Sequence, residues 1–439
     1  MTSTSMPSTS VSPETVTARA KAKPSGSFAT RIARRLVLSR LQKLEQGTLH
    51  LQLTAEDAHA LDRPMHMTLG APCADGLSAN LEVVDSRFWS SLATGGALGA
   101  SEAYAEGWWR SNNLTQVIRL LARNRSVLQQ VDSGLARLGA PLLRRWHDAR
   151  RNTQKGSREN IAAHYDLSNE FFALFLDPTM TYSSGIFATA ETTLEQAQIA
   201  KIDHLCQKLE LGPDVHLLEI GTGWGAFARH AAKEYGCRVT TTTISKEQHA
   251  YAAELLRKEG LEGQVELLLE DYRQLDGRYD RVVSVEMVEA VGADFLGEYF
   301  ATIGHLLKPD GMAAIQAITI QDQEFVRASK HIDFIKRYIF PGSCIPSVTA
   351  MCDAMTADSD LKLAHLEDFT ADYATTLAHW REAFLAKREQ LHAMGLGDHF
   401  QNTWDYYFSY CEGGFAERSI GLVQMLLTKP ACHYRTPLS

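Results

Sequence analysis

From Asp214 onward, short apolar runs alternate with longer segments of helical character. Val215–Ile220 is apolar and runs into a glycine-rich turn; the stretch from about Gly225 to Tyr235 then reads as a helix stopped by Gly236. Arg238–Ile244 is rich in Thr and Val and predicts a strand. Ser245-Lys-Glu-Gln248 predicts a capping box, in which the Ser oxygen and the Gln side chain satisfy orphan backbone donors reciprocally. Val265–Leu269, Asp280–Val285 and Met312–Ile320 predict further strands, with a helix near Phe295–Leu307 between the last two. Repeated β-α-β units imply an α/β fold: a parallel, doubly wound, Rossmann-like sheet with its ligands at the carboxyl ends of the strands. Residues after 321 read as mainly helical and aromatic, a cover for the site.

Upstream the pattern differs. Leu49, Leu51 and Leu53, then Met65 to Leu69, then Leu81 to Val84 alternate with turns and predict a smaller α+β domain over residues 28–125, with a helical end at Ser101–Trp109. Residues 1–27, rich in Ser and Thr, read as a disordered tail, and 126–157 as a basic linker to a second domain over 158–439. A length of 439 residues suits this two-domain division. No run of 18 apolar residues occurs, so no spanning segment is expected.

The net charge of -8 hides a segregation. Residues 1–43 carry eight Lys/Arg against Glu14 alone, and residues 119–158 carry ten against Asp132 and Asp148. Such a surface on an otherwise acidic chain suits anionic lipid headgroups, or is a solvated helix face plus a tail. Nucleic acid fits less well, because no recognition motif accompanies the charge. Seven cysteines, an odd count without a CxxC, point to free thiols in a reducing cytosol.

The sharpest local motif is Leu217-Leu-Glu-Ile-Gly-Thr-Gly-Trp-Gly225. A strand runs directly into Gly221, Gly223 and Gly225, where backbone can approach a ligand closely. The dinucleotide fingerprint places its third glycine one residue later and expects an acid at the end of the second strand. Here that strand ends in Thr241, Thr242 and Thr243, and the acid, Glu219, precedes the loop. This suits an amino-acid-bearing nucleoside better than a pyrophosphate. Thr242, Thr243 and Gln248 lie where a ribose would sit, and Asp271 with Tyr272 follows the third strand, in position for adenine. Singly, Gln248 also reads as a helix cap and Tyr272 as packing. In order along one sheet edge they argue for a methyltransferase.

Several longer motifs accompany the loop: Asn160-Ile-Ala-Ala-His-Tyr-Asp-Leu-Ser-Asn-Glu-Phe-Phe172, Met180-Thr-Tyr-Ser-Ser-Gly-Ile-Phe187, Val283-Ser-Val-Glu-Met-Val-Glu-Ala-Val-Gly292, Tyr338-Ile-Phe-Pro-Gly342 and Phe369-Thr-Ala-Asp-Tyr-Ala-Thr-Thr-Leu377. On these motifs the chain from about 158 to 428 resembles the cyclopropane-fatty-acyl-phospholipid synthases and the related mycolic acid methyltransferases. Residues 28–125 resemble, less distinctly, the amino-terminal domain of the longer bacterial synthases. The resemblance implies a class I methyltransferase fold, S-adenosylmethionine as cofactor, an unsaturated phospholipid as substrate and a homodimer at the inner face of the membrane. It implies that Tyr182 and Ser183 hold the methionine part of the cofactor, and that Gly221, Gly223, Thr243, Gln248 and Tyr272 complete its site. It also implies a bicarbonate ion beside the substrate alkene, at Ser184 (by its amide), Glu289, Gln316, Ile318 and Tyr373. Ser184 stands where the family has Cys and Gln316 where it has His; a Gln amide donates to an anion but carries no proton.

An alkene is a poor nucleophile, so methyl transfer depends on aligning it with the S–CH3 bond in a dry pocket. The resulting carbocation must lose a proton. Loss from the new methyl closes a cyclopropane; another course leaves a methylene or methyl-branched chain. Glu289 is the expected carboxylate beside the base and Tyr373 the ring and hydroxyl flanking the cation. Each also reads as ordinary structure, a helix-start carboxylate and a core aromatic. Glu286 lies in the same segment, and the sequence does not separate the two carboxylates. His164 and Asp166 have no metal-ligand spacing, so no metal is expected. His331 to Phe340, with Phe334, Ile335, Tyr338, Ile339 and Phe340, is a candidate wall for an acyl tunnel or plain core. A rival of another class, a catalytically silent lipid- or nucleoside-binding protein, is opposed by the presence of Glu289 and Tyr373.

Overall fold

The computed structural model describes residues 28–60, 62–125 and 167–434. The expected tail, the linker and the motif residues His164 and Asp166 lie outside the described residues.

The amino-terminal part is the expected α+β unit. Strands β1 (Gly47–Gln52), β2 (His66–Ala71), β3 (Ser78–Val83) and β4 (Trp109–Arg110) form a sheet in the order β2-β1-β3-β4. Residues alternate strictly between buried and exposed along β3, the period-2 signature of a sheet with one wet face. Leu49, Leu51 and Leu53 point to the buried face, against helices Phe28–Leu41, Arg87–Ala105 and Leu114–Arg123.

The second part is a seven-stranded sheet of β5 (His216–Ile220), β6 (Arg238–Thr242), β7 (Val265–Leu268), β8 (Tyr279–Val285), β9 (Leu307–Ile320), β10 (Lys362–Asp368) and β11 (Ile420–Thr428), ordered β10-β11-β9-β8-β5-β6-β7. β5 to β9 pair in parallel; β11 is antiparallel to β9 and to β10. The strand order reverses between β5 and β8, which opens a crevice at their carboxyl ends. The predicted parallel strands are present with ends shifted by a few residues. β10 and β11 were not predicted: Ile420–Thr428 is a nearly unbroken apolar run, which periodicity does not assign to strand or helix.

The two parts share one core. Trp89, Trp109 and Leu120 belong to the same buried cluster as Trp380, Phe384, Trp404, Phe408 and Phe415. The joint is the helix Asp398–Ala416, apolar around most of its circumference because it is covered on both sides. Its polar groups are met from the amino-terminal part: Tyr104 Oη donates to Asp405 (2.6 Å), Thr115 Oγ1 to Glu412 (2.7 Å), and Arg119 and Arg123 to Glu417 (2.7 and 2.6 Å). Gly413 lets the helix Leu114–Arg123 approach; a Cβ there would lie 2.7 Å from Ile118 Cγ2 and 3.0 Å from its Cβ.

At a solvent-facing helical position Gly→Ala stabilises by about 1 kcal/mol. At Gly413 the sign is expected to reverse, with a loss of about 1–3 kcal/mol from overpacking against Ile118, measured as a lower denaturant midpoint for Gly413→Ala.

Candidate active site

The loop after β5 supplies the first wall. The amides of Gly221 and Thr222 both donate to the Thr242 carbonyl (3.0 Å each), which ties the loop to the end of β6. Gly223 has φ +53, and a Cβ there would meet nothing within 4 Å. The loop is thus bare backbone facing open space, the cradle that a nucleoside needs. Gly225 instead packs on Ala252, whose Cβ would lie 3.1 Å from an added Cβ. Glu219 is buried and accepts from Thr241 Oγ1 (2.6 Å); burial pushes its carboxyl up to about 8.

Thr242 at the end of β6, Thr243 just after it, and Asp271 and Tyr272 after β7 follow along the same sheet edge. Thr242 Oγ1 donates to the Glu270 carbonyl (2.6 Å) and Thr243 Oγ1 to Gln248 Oε1 (2.9 Å). Ser245 accepts from the Gln248 amide (3.3 Å), but the Gln248 side chain goes to Thr243, so only half of the expected capping box forms. Asp271 accepts from Arg273 Nε (2.8 Å) and Nη2 (2.6 Å), so its carboxylate is already engaged. The Tyr272 ring meets Tyr299 edge-on at 5.8 Å. Bare backbone at Gly223 followed by hydroxyls, an amide and an aromatic ring fits the nucleoside of S-adenosylmethionine.

Where the resemblance places the methionine part of the cofactor, Tyr182 Oη lies 2.9 Å from Tyr407 Oη, and its ring packs between Phe172 and Trp380. Ser183 Oγ accepts from Lys201 Nζ (2.5 Å). Lys201 is buried; burial lowers its ammonium to about 8, partly offset by the charges of Glu286, Asp177 and Glu219.

The centre of the site is Glu286, at the carboxyl end of β8. Its Oε1 accepts from the Ser184 amide (2.9 Å) and from Gln316 Nε2 (2.8 Å), and its Oε2 from Tyr373 Oη (2.5 Å). The Gln316 amide is oriented by its other end: Oε1 accepts from Gln424 Nε2 (2.9 Å), and Gln424 Oε1 accepts from Lys208 Nζ (2.8 Å). This relay fixes Nε2 as the group facing Glu286. The residues meet because β9 carries Gln316 opposite both Val285 of β8 and Gln424 of β11. Tyr373 is held by stacking on Phe415 (4.4 Å between centroids). Burial raises the Glu286 carboxyl, while the hydrogen bonds from Tyr373, Ser184 and Gln316 and the Lys201 charge pull it back.

Glu289 stands apart from that set. Its Oε1 accepts from the Ile318 amide, and its Oε2 is buried without a partner. Burial, then repulsion from Glu286, pushes its carboxyl up to about 8. Burial raises all three carboxyls, and of the three Glu286 receives the most compensation, from three hydrogen-bond donors and the Lys201 charge. Of the five positions expected around a bicarbonate, Ser184, Gln316 and Tyr373 bond to Glu286, and Glu289 and Ile318 bond to each other. The ion therefore does not fit the site as built.

Lys201, Gln424 and the central role of Glu286 escaped the sequence reading. Signals existed: Lys201 falls on the buried stripe of helix Leu194–Lys208 with Ala197, Ile202 and Leu205, and Gln424 is a lone polar residue in an apolar strand. In the expected tunnel wall, Phe334 is core against Tyr406 (4.8 Å), while Tyr338 reaches Glu102 of the amino-terminal part. Among the described residues no cluster of His, Cys, Asp and Glu has metal-binding form.

Comparison with known proteins identifies the family and the fold. Residues 152–425 match the family model described as mycolic acid cyclopropane synthetase. The chain is 38% identical over 342 residues to the tuberculostearic acid methyltransferase UfaA1 of Mycobacterium tuberculosis, covering 76% of this chain and 79% of that one. It is 36% identical over 358 residues to the cyclopropane-fatty-acyl-phospholipid synthase of Escherichia coli, covering 80% and 88%. Among solved structures, the mycolic acid cyclopropane synthase CmaA1 complexed with SAH and CTAB superimposes with a TM-score of 0.58 at 32% identity, over 62% of this chain and 98% of that one. The fold is that of the class I methyltransferases.

Two outcomes follow from the site. Gly223→Val, with a side chain in the open cradle and a left-handed φ, is expected to weaken S-adenosylmethionine binding by at least about tenfold; unchanged affinity by calorimetry would misplace the cofactor. The Glu289 carboxyl titrates higher folded than its usual 4.5, so its stability contribution is full below about 4.5 and lost as pH rises through about 8. The melting temperature of Glu289→Gln should therefore gain on the parent by a few degrees across that window, and a constant difference would refute the assignment.

Proposed function

This chain belongs to the mycolic acid cyclopropane synthetase family, and from that premise we propose that it methylates a double bond in an unsaturated acyl chain of a phospholipid, closing a cyclopropane. It is an S-adenosylmethionine-dependent methyltransferase. The observation that carries the finer reading is a half-buried carboxylate, Glu286, beside a group of aromatic rings at Tyr182, Tyr373, Trp380, Tyr407 and Phe415. An alkene brings no acidic proton of its own; it needs a dry apolar channel, ring faces for a passing cation and a base placed after the methyl transfer. S-adenosylmethionine supplies the electrophilic methyl. Tyr182 and Ser183 orient its amino-acid end, and the bare backbone at Gly221 and Gly223 admits its nucleoside.

Phospholipid is favoured over mycolic acid by extent. The match to the Escherichia coli phospholipid enzyme runs over 80% of this chain, whereas that to the cyclopropane mycolic acid synthase MmaA2 of Mycobacterium tuberculosis covers 58%. A second reading, a methylene or methyl-branched product, is supported by the relative named tuberculostearic acid methyltransferase and by Gln316, which cannot relay a proton.

Access to such a substrate requires meeting a bilayer, and among the described residues no helix is long and apolar enough to cross one. The helix Phe28–Leu41 exposes Phe28 (72%), Ile32 (44%) and Leu36 (54%) beside exposed Arg31 and Arg35, a face suited to an anionic interface. In the other basic stretch, Arg119 and Arg123 bind Asp75 and Glu417, and Arg125 binds Glu324, so their charge is already spent within the chain.

With unsaturated phospholipid vesicles and methyl-labelled cofactor, label is expected in the acyl fraction with ring protons visible by NMR. Label without a ring selects the second reading, and label confined to headgroup or water-soluble products overturns acyl methylation. Ile32→Glu with Leu36→Glu is expected to cut co-sedimentation with anionic vesicles severalfold; binding that ignores both the variant and salt would remove this helix from the interface.

A further inference from the structure

We propose that Glu286 is the proton acceptor of the reaction, a carboxylate built into the chain and seated where the family resemblance places a bicarbonate ion. The inference rests on the acyl C-methylation reading and deepens it. Three donors define the seat: the Ser184 amide, Gln316 Nε2 and Tyr373 Oη, at 2.9, 2.8 and 2.5 Å from the two Glu286 oxygens. A carboxylate and a bicarbonate present the same planar pair of oxygens to such donors. The seat is specific to this side chain in two ways. Gln316 is turned toward it by the relay through Gln424 to Lys208, so the position offers an N–H donor to an anion rather than a titratable ring. The backbone of Glu286 is held at φ +49, a left-handed conformation uncommon for a side-chain-bearing residue, with its amide bound to the Gln316 carbonyl (2.8 Å). That twist at the end of β8 places the carboxylate among the donors.

The step balances within the established reactants. The alkene π pair forms the bond to the methyl carbon, and the S–CH3 bond breaks onto sulfur, leaving a neutral thioether. A C–H bond of the new methyl gives its electron pair to the cationic carbon, closing the ring, and the proton goes to a Glu286 oxygen. Tyr373, Gln316 and Ser184 are positioning residues for that oxygen pair, and Lys201 offsets its charge. Glu289, bonded to the Ile318 amide, is left with a supporting role.

The test uses the full chain, unsaturated phospholipid vesicles and carbonate-depleted buffer, comparing parent, Glu286→Gly and Glu286→Gln. Glycine adopts φ +49 without strain and vacates the seat; glutamine fills it without a base. The parent rate is expected to ignore bicarbonate. Glu286→Gly should lose about a hundredfold or more, the scale of a general base, and recover in part when bicarbonate is added. Glu286→Gln should be comparably slow and unrescued, and slower than Glu289→Gln. A parent rate that falls on depletion, or a Glu286→Gly rate equal to the parent without bicarbonate, overturns the proposal. Calorimetry of bicarbonate into protein saturated with S-adenosylhomocysteine reads the seat without turnover, and the same nucleoside's affinity reports folding of each variant. Binding to Glu286→Gly but not to the parent supports the proposal; equal binding to both overturns it. If the parent methylates no acyl chain, the C-methylation reading fails, while the calorimetry still decides who fills the seat.

Discussion

A carboxylate taken out of water must receive from the protein what water would have given it, and the strands around Glu286 are arranged to do so. Leaving such a charge without partners costs several kcal/mol. Its donors come from four separate places: the segment before helix Leu194–Lys208, the middle of β9, helix Thr370–Leu385 and, electrostatically, Lys201. None is local to β8. The register of β8 against β9 against β11 is therefore constrained by chemistry as well as packing, because a one-residue slip would turn Gln316 to the opposite face and strand the carboxylate.

The antiparallel addition at the sheet edge has a role in this light. β11 brings Gln424 beside Gln316 and, through Lys208, carries the polar chain on to the surface carboxylate Glu367. The helix Asp398–Ala416 acts on the other side: Phe415 stacks on Tyr373, and Tyr407 meets Tyr182. That helix is in turn gripped by the amino-terminal part through Tyr104, Thr115, Arg119 and Arg123. The amino-terminal part thus buttresses the helix that packs on Tyr373 and Tyr182. It is a structural support of the site in addition to any dealings with a membrane.

The parallel strands, the glycine loop and the order of residues along that sheet edge were legible from sequence because each depends on local pattern: an apolar run, a turn, a capping serine. Ser184, Gln316 and Tyr373 were grouped through family resemblance, as ligands of an ion, and in the structure they meet at Glu286. What sequence left open is the identity of their common partner. Glu286 and Glu289 lie three residues apart in one segment, yet with a left-handed backbone at Glu286 the two side chains reach different sets of donors. Such a twist leaves no signature in a non-glycine residue. Lys201 and Gln424 were missed for a related reason: each is a polar residue in an apolar stripe, a visible anomaly whose explanation lies in a residue far away in sequence.

A tethered carboxylate and a bound ion solve the same problem with different liabilities. An ion must be captured from solution and loses translational freedom on each occasion, and its occupancy follows its concentration. A side chain is always present, and the free energy of placing it is spent in folding. Here that expense is visible as a residue at φ +49, of order 1–3 kcal/mol for such strain, and as Glu219 and Glu286 sharing the charge of one buried lysine, Lys201. Replacing a histidine-like relay by Gln316 is consistent with the same choice. Once the proton acceptor is fixed in the chain, its neighbour has only to donate a hydrogen bond and hold direction, and an amide pinned by Gln424 does that without adding a further titrating group to a site that already holds several.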